Sequence, residues 1–158
     1  MSDLLISCHG LTKLYGHKIA LQNVSLDIGR GRFVGLLGPN GSGKTTLIKI
    51  LCGLLQPTAG DLSIDGQPVG VHSKSIISYL PDRMYFADWM KATDLFDLFS
   101  DFYADFDRQK AMAMCASLGV DPKDRLKTMS KGTKEKVQLV MVMARKAQLY
   151  LLDEPIAG

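Results

Sequence analysis

Gly38, Pro39, Asn40, Gly41, Ser42, Gly43, Lys44 and Thr45 follow one another as a Gly-x4-Gly-Lys-Thr pattern, set between a short apolar run and a stretch that reads as a helix. No other feature of the chain restricts it so tightly. A backbone that wraps around phosphate oxygens needs positions without a Cβ, and Gly38, Gly41 and Gly43 supply them. A row of N–H groups at the helix start, from Asn40 and Ser42 through Thr46, then donates to the anion. Lys44 adds a mobile positive charge for the β- and γ-phosphates, and the Thr45 hydroxyl joins the shell of a Mg²⁺ ion. Residues 33–37 read as a fully buried parallel strand and residues 45–54 as a helix. That strand-loop-helix context separates a nucleotide-binding loop from a plain glycine-rich turn.

Near the other end, residues 149–152 form a second brief apolar run, followed at once by Asp153 and Glu154. A parallel sheet opens the C-terminal edge of its strands to ligands, and the phosphate loop sits on the same kind of edge. There Asp153 holds the Mg²⁺ shell, usually through water, and Glu154 polarises the water that attacks the γ-phosphate. Alone, two acids after a strand serve equally well as a solvated strand end. Beside a phosphate loop they read as the metal-holding and water-orienting pair of an ATPase.

The rest of the composition narrows the class further. At 158 residues the chain is long enough for one domain with its own core. Its 46% hydrophobic and 22% charged residues are those of an ordinary globular protein. Cys8, Cys52 and Cys115 stand far apart without metal-ligand spacing, which argues against a zinc site or disulfide framework and fits a reducing cytosol. Residues 1–9 lack a signal peptide's basic start, and the longest largely apolar stretch, residues 137–144, is too short to cross a bilayer. A net charge of +3 with interspersed signs gives no case for nucleic acid.

Residues 4–11 and 19–28 read as half-buried strands, 61–64 as a strand closed by an Asp65-Gly66 hairpin turn, and 75–80 as a further strand. From Asp94 the pattern turns helical, with Leu95, Phe96, Phe99 and Phe106 on an apolar face. Residues 108–118 and 133–146 read as two more helices. The organisation expected is a β subdomain with nucleotide-binding core over 1–82, a helical subdomain over 83–132, and a final helix with the acidic strand over 133–158.

Between the two motifs lies Met129-Ser130-Lys131-Gly132-Thr133-Lys134, which resembles the Leu-Ser-Gly-Gly-Gln signature of ATP-binding cassette (ABC) ATPases. Ser130 and Gly132 match; Met129, Lys131 and Thr133 depart, a looser form similar to some bacterial exporter-type cassettes. Read without the family, Ser130 is an ordinary helix N-cap. Tyr15 is similar to the aromatic residue that stacks on adenine, and Asp82 stands where the family usually has a glutamine touching Mg²⁺ and the attacking water. A carboxylate there still accepts from metal-bound water, but it lacks the amide donor. Met84, Tyr85, Phe86 and Trp89, just beyond, read equally as a docking patch for a membrane subunit or as core of the helical subdomain.

The resemblance spans the chain and implies an α/β P-loop NTPase core with an N-terminal antiparallel β subdomain and a helical subdomain. It implies an ATPase using ATP and Mg²⁺, with Glu154, Lys44 and Asp82 catalytic and Thr45, Asp153 and Asp82 around the metal. ATP contacts fall to Tyr15, Gly38, Asn40, Gly41, Ser42, Gly43, Lys44, Thr45 and Thr46, with Ser130 and Gly132 facing the nucleotide of a second cassette. The partners implied are that second cassette and an integral membrane subunit, at the cytoplasmic face of the membrane, with export the expected direction. The family continues into a strand bearing a switch histidine, whereas His9, His17 and His72 all precede the acidic strand, so the natural chain is expected to run on past Gly158. Two rivals remain: a soluble ABC-type ATPase outside transport, and a cassette that binds ATP but turns it over poorly, against which Glu154 speaks by supplying a base and which Asp82 keeps open.

Overall fold

The computed structural model describes residues 3–154, which divide into two compact units on either side of the Ile77–Ser78 bond.

The first unit is built on a long antiparallel hairpin. Strands β1 (Leu4–Tyr15) and β2 (Lys18–Gly29) pair from Leu4 opposite Gly29 to Tyr15 opposite Lys18, with several register shifts on the way. Both run past the alternating segments that the sequence marks, because pairing extends the ladder through polar residues once the apolar ones fix its register. Strand β3 (Ala59–Ile64) adds to the other edge of β1, and the short β4 (Gln67–Pro68) follows, giving the order β2-β1-β3-β4. The Asp65-Gly66 turn between them has φ +54° and +72°, the left-handed pair that a two-residue hairpin demands. Leu5, Ile6, Cys8, Leu11 and Ile64 of the sheet, with Leu47, Ile48, Ile50 and Leu51 of helix α1 (Lys44–Leu51), are buried. Helix α1 stops three residues before the expected end, at a turn containing Gly53 with φ +70°. Helix α2 (Val71–Ile76) occupies part of what the sequence reads as strand, leaving only β5 (Ile77–Leu80) extended.

One expectation fails outright. Residues 33–37 form no strand, and every one of them is exposed, Phe33 and Leu37 almost completely. An apolar run of this kind is buried only between neighbouring strands. The described strands form two sheets, neither of which contains it.

In the second unit β5 pairs with β6 (Leu149–Leu152), and Asp153 N–H donates to Leu80 O at 2.9 Å. Helices α3 (Ala92–Phe102), α4 (Arg108–Leu118) and α5 (Lys131–Met143) pack around Leu95, Phe96, Ala111, Cys115, Leu126, Val137, Val140 and Met141. Capping explains two of the helix starts: Asp107 accepts from Lys110 N–H and Ser130 from Thr133 N–H. A half-buried ion pair closes the unit. Arg145, only 3% exposed, reaches Asp105 with two nitrogens at 2.9 and 3.0 Å, and its guanidinium lies 3.9 Å from the Tyr103 ring centre. Tyr150 Oη of β6 donates to Arg145 O and accepts from Ala147 N–H, so the turn from α5 into β6 is held on both sides.

Candidate nucleotide site

In the first unit the glycine-rich loop leads into α1 through Gly43, the N-cap, at φ +97°. A Cβ on Gly43 would lie 2.4 Å from Ala20 O and 2.8 Å from Leu21 Cδ2, so both backbone conformation and space require glycine. No side chain caps α1 and no acid lies in its first turn, so the leading N–H groups and the positive end of the helix dipole are left for an anion. Residues 38–42, Asn40 and Gly41 among them, are exposed; Thr45 and Thr46 are half-buried in the first turn. Lys44 curls back over the loop, donating to Gly38 O, to Pro39 O at 2.9 Å and to Ser42 Oγ at 3.4 Å. These are contacts of an ammonium with no counter-ion of its own, and a phosphate would replace them with charge-assisted bonds.

Tyr15 ends β1, half exposed, with Lys13 Nζ 5.1 Å from its ring centre. Its approach is braced by Thr58, whose Oγ1 accepts from Leu14 N–H and whose N–H donates to Thr12 O. An open aromatic face beside a cation suits a stacked base.

In the second unit Asp153 is 2% exposed, and its Oδ2 has no hydrogen-bond partner among the described residues. A buried carboxylate oxygen left unsatisfied is costly unless a donor or cation reaches it. Next to it Glu154 has φ +48°, a left-handed backbone that costs a non-glycine residue about 1–3 kcal/mol and is found most often at functional sites. Asp82 is exposed, two residues beyond the Leu80 carbonyl that holds Asp153, so the structure places these two acids on neighbouring strand ends. Ser130 caps α5, its Oγ 3.1 Å from Thr133 N and 2.8 Å from Thr133 Oγ1. A Cβ on Gly132 would meet nothing within 4 Å, which keeps that face of the first turn clear. The apolar cluster beyond Asp82 divides between its two readings: Met84 and Phe86 pack on the helical core, whereas Tyr85 and Trp89 are 70% and 67% exposed.

The model of the family described as ABC transporter matches residues 21–157. The chain belongs to that family. Among curated relatives of this ABC chain is the aliphatic sulfonates import ATP-binding protein SsuB 3 of Rhodococcus jostii, 34% identical over 159 residues, covering 99% of the chain and 56% of the relative. Among solved structures, the ATP-binding subunit of an ABC transporter superposes with a TM-score of 0.84 at 26% identity, covering 98% of the chain and 68% of that structure. A dimeric bacterial ABC transporter cassette superposes with a TM-score of 0.82 at 25% identity, covering 95% and 74%. The α/β ABC ATPase fold expected from the sequence is therefore the one present. The chain spans 33–56% of the length of the first curated relatives it matches.

The side chains of this ABC chain fit a hard, oxygen-seeking cation. In the second unit Asp82 and the Asp153 oxygen that lacks a partner among the described residues are carboxylates of the type Mg²⁺ prefers, and Thr45 of the first unit carries a hydroxyl of the same hard-oxygen class. Two polar residues escaped the sequence reading. Gln138 and Arg145 are both buried, and the signal for Gln138 is a lone amide inside the apolar stretch 137–144.

Proposed function

We propose that this chain is the nucleotide-binding part of an ATP-hydrolysing subunit that powers transmembrane transport through a membrane partner. The observation that carries the reading is the loop before α1, where Gly43 admits no side chain and the uncapped helix start lies beside Lys44. Thr45, Asp153 and Asp82 are the residues that would hold Mg²⁺, which when bound neutralises charge on the β- and γ-phosphates. Lys44 draws the γ-phosphate into the loop. Glu154 accepts the proton of the water attacking the γ-phosphorus, while the bond to the bridging oxygen breaks and ADP leaves. Tyr15 stacks on the adenine.

Ser130, Gly132 and the first turn of α5 face the γ-phosphate held by a second cassette, so turnover requires a dimer; the matched dimeric cassette supports this arrangement. No helix among the described residues is long and apolar enough to cross a membrane. Attachment at the cytoplasmic face is assigned to the partner, with exposed Tyr85 and Trp89 as the docking side chains. The loosened signature favours export, although the matched Rhodococcus protein is by name an importer. Asp82, which has no amide to donate, favours slow turnover.

Equilibrium binding of Mg-ATP to the chain and to its Lys44→Ala variant tests the reading. Removing the charge-assisted bonds is expected to weaken binding at least about tenfold. Binding indifferent to this change, in a chain that is folded by circular dichroism, would overturn it.

A further inference from the structure

We propose that Gln138 is a positioning residue that straps the Asp82 loop to the signature helix, so that Asp82 takes its place for catalysis only while α5 holds it. The proposal rests on the ATPase reading above and adds a residue to it.

Gln138 sits on the buried face of α5, 8% exposed, between Val137 and Val140 of the helical core. Its Nε2 donates to Pro81 O at 3.3 Å and to Arg83 O at 3.0 Å. Both hydrogens of one amide are thus spent on the two carbonyls that bracket Asp82. The Asp82 side chain is exposed and makes no hydrogen bond or ion pair among the described residues, so only its backbone fixes where its carboxylate stands.

The strap belongs to a set. One turn further along the same face of α5, Val142 O accepts from the buried Ser78 Oγ of β5 at 2.9 Å. Near the start of α5, Lys134 Nζ meets Asp88 Oδ1 at 2.9 Å, beyond the loop. Helix α5 therefore grips the segment before, at and after Asp82. Its N-cap is Ser130, eight residues from Gln138 and about 12 Å along the axis at 1.5 Å per residue, so a shift of the signature end moves the Asp82 loop with it.

A merely structural role does not account for the amide. An apolar residue in place of Gln138 would bury better among Val137 and Val140. What glutamine adds is the connection.

The test uses the full-length protein with Gln138→Leu, which keeps the bulk and loses both donors, and Gln138→Met as a second form should the branched side chain not fit. Two neutral hydrogen bonds are lost, so limited tryptic cleavage after the exposed Arg83 is expected to quicken about tenfold or more while α5 and β6 keep their amide-exchange protection. Turnover of Mg-ATP is expected to fall about tenfold with KM within about twofold, and Gln138→Leu is expected to have no further effect on kcat in an Asp82→Ala background. Unchanged cleavage after Arg83 overturns the strap. So does a kcat loss that persists in the Asp82→Ala background, since that marks a general brace. The Lys44→Ala variant run alongside keeps the two readings apart: ATP binding indifferent to Lys44→Ala sinks the ATPase assignment, and an intact Lys44 effect with Gln138 silent sinks only the strap.

Discussion

The residues that matter most here are those whose chemistry the surrounding fold leaves unfinished. Asp153 keeps a buried oxygen without a donor among the described residues, and Glu154 beside it holds a left-handed backbone. Replacing Glu154 by glutamine keeps size and backbone while removing the proposed base, so hydrolysis is expected to drop at least about a hundredfold with ATP affinity nearly unchanged; a phosphate-release assay beside equilibrium binding reads both. At Gly43, alanine would drive its methyl into Ala20 O at φ +97°, and both nucleotide binding and the melting temperature should fall. Asp65 offers a test by pH. The hydrogen bond from His72, then that from Arg30, holds its pKa below the ordinary 3.8, so the folded form favours the carboxylate. Its contribution to stability is therefore present above the ordinary carboxylate range and is lost as pH falls through the lowered folded value. Asp65→Asn should melt earlier than the parent at neutral pH and converge with it in acid, as followed by thermal melts across pH.

At the scale of elements, helix α4 and strand β6 stand where the sequence put them, because Asp107 and Gly119 punctuate one and the acids terminate the other. Helix α5 begins two residues early, at Lys131, since Ser130 rather than Gly132 is the cap. Helix α2 went unread: six residues with a Gly70 start carry too little periodicity to tell from a strand. The glycine-rich entry to α1, the acids after β6 and the Ser130 cap of α5 were legible because each depends on residues adjacent in the chain. Gln138 and the Asp105–Arg145 pair were not, because their partners lie 55 or 57 and 40 residues away. That pair sets the turn from α5 into β6. Arg145→Ala leaves the half-buried Asp105 without its partner and removes the cation stacked on Tyr103, a loss expected to cost about 1–3 kcal/mol in a denaturant melt, with Arg145→Lys recovering part of it.

Across the whole molecule, the antiparallel sheet of the first unit and the helical core of the second each close over their own apolar residues, whereas residues 33–37 are covered by neither. Phe33, Val34, Leu36 and Leu37 present a ribbon of high strand propensity to solvent, the type of segment that pairs with its own kind. Light scattering of the 158-residue chain should show self-association that Phe33→Glu with Leu37→Glu reduces, while the melting temperature stays within about a degree because neither side chain contributes to packing. The same ribbon has a life earlier than the finished protein. As the chain leaves the ribosome, the β1–β2 hairpin can zip as soon as it emerges, but the five residues behind it enter the cytosol with nothing to lie against. Until something covers them they are bait for a holdase chaperone, and the interval before that covering, more than the strength of either core, would set how much of the protein survives its own synthesis.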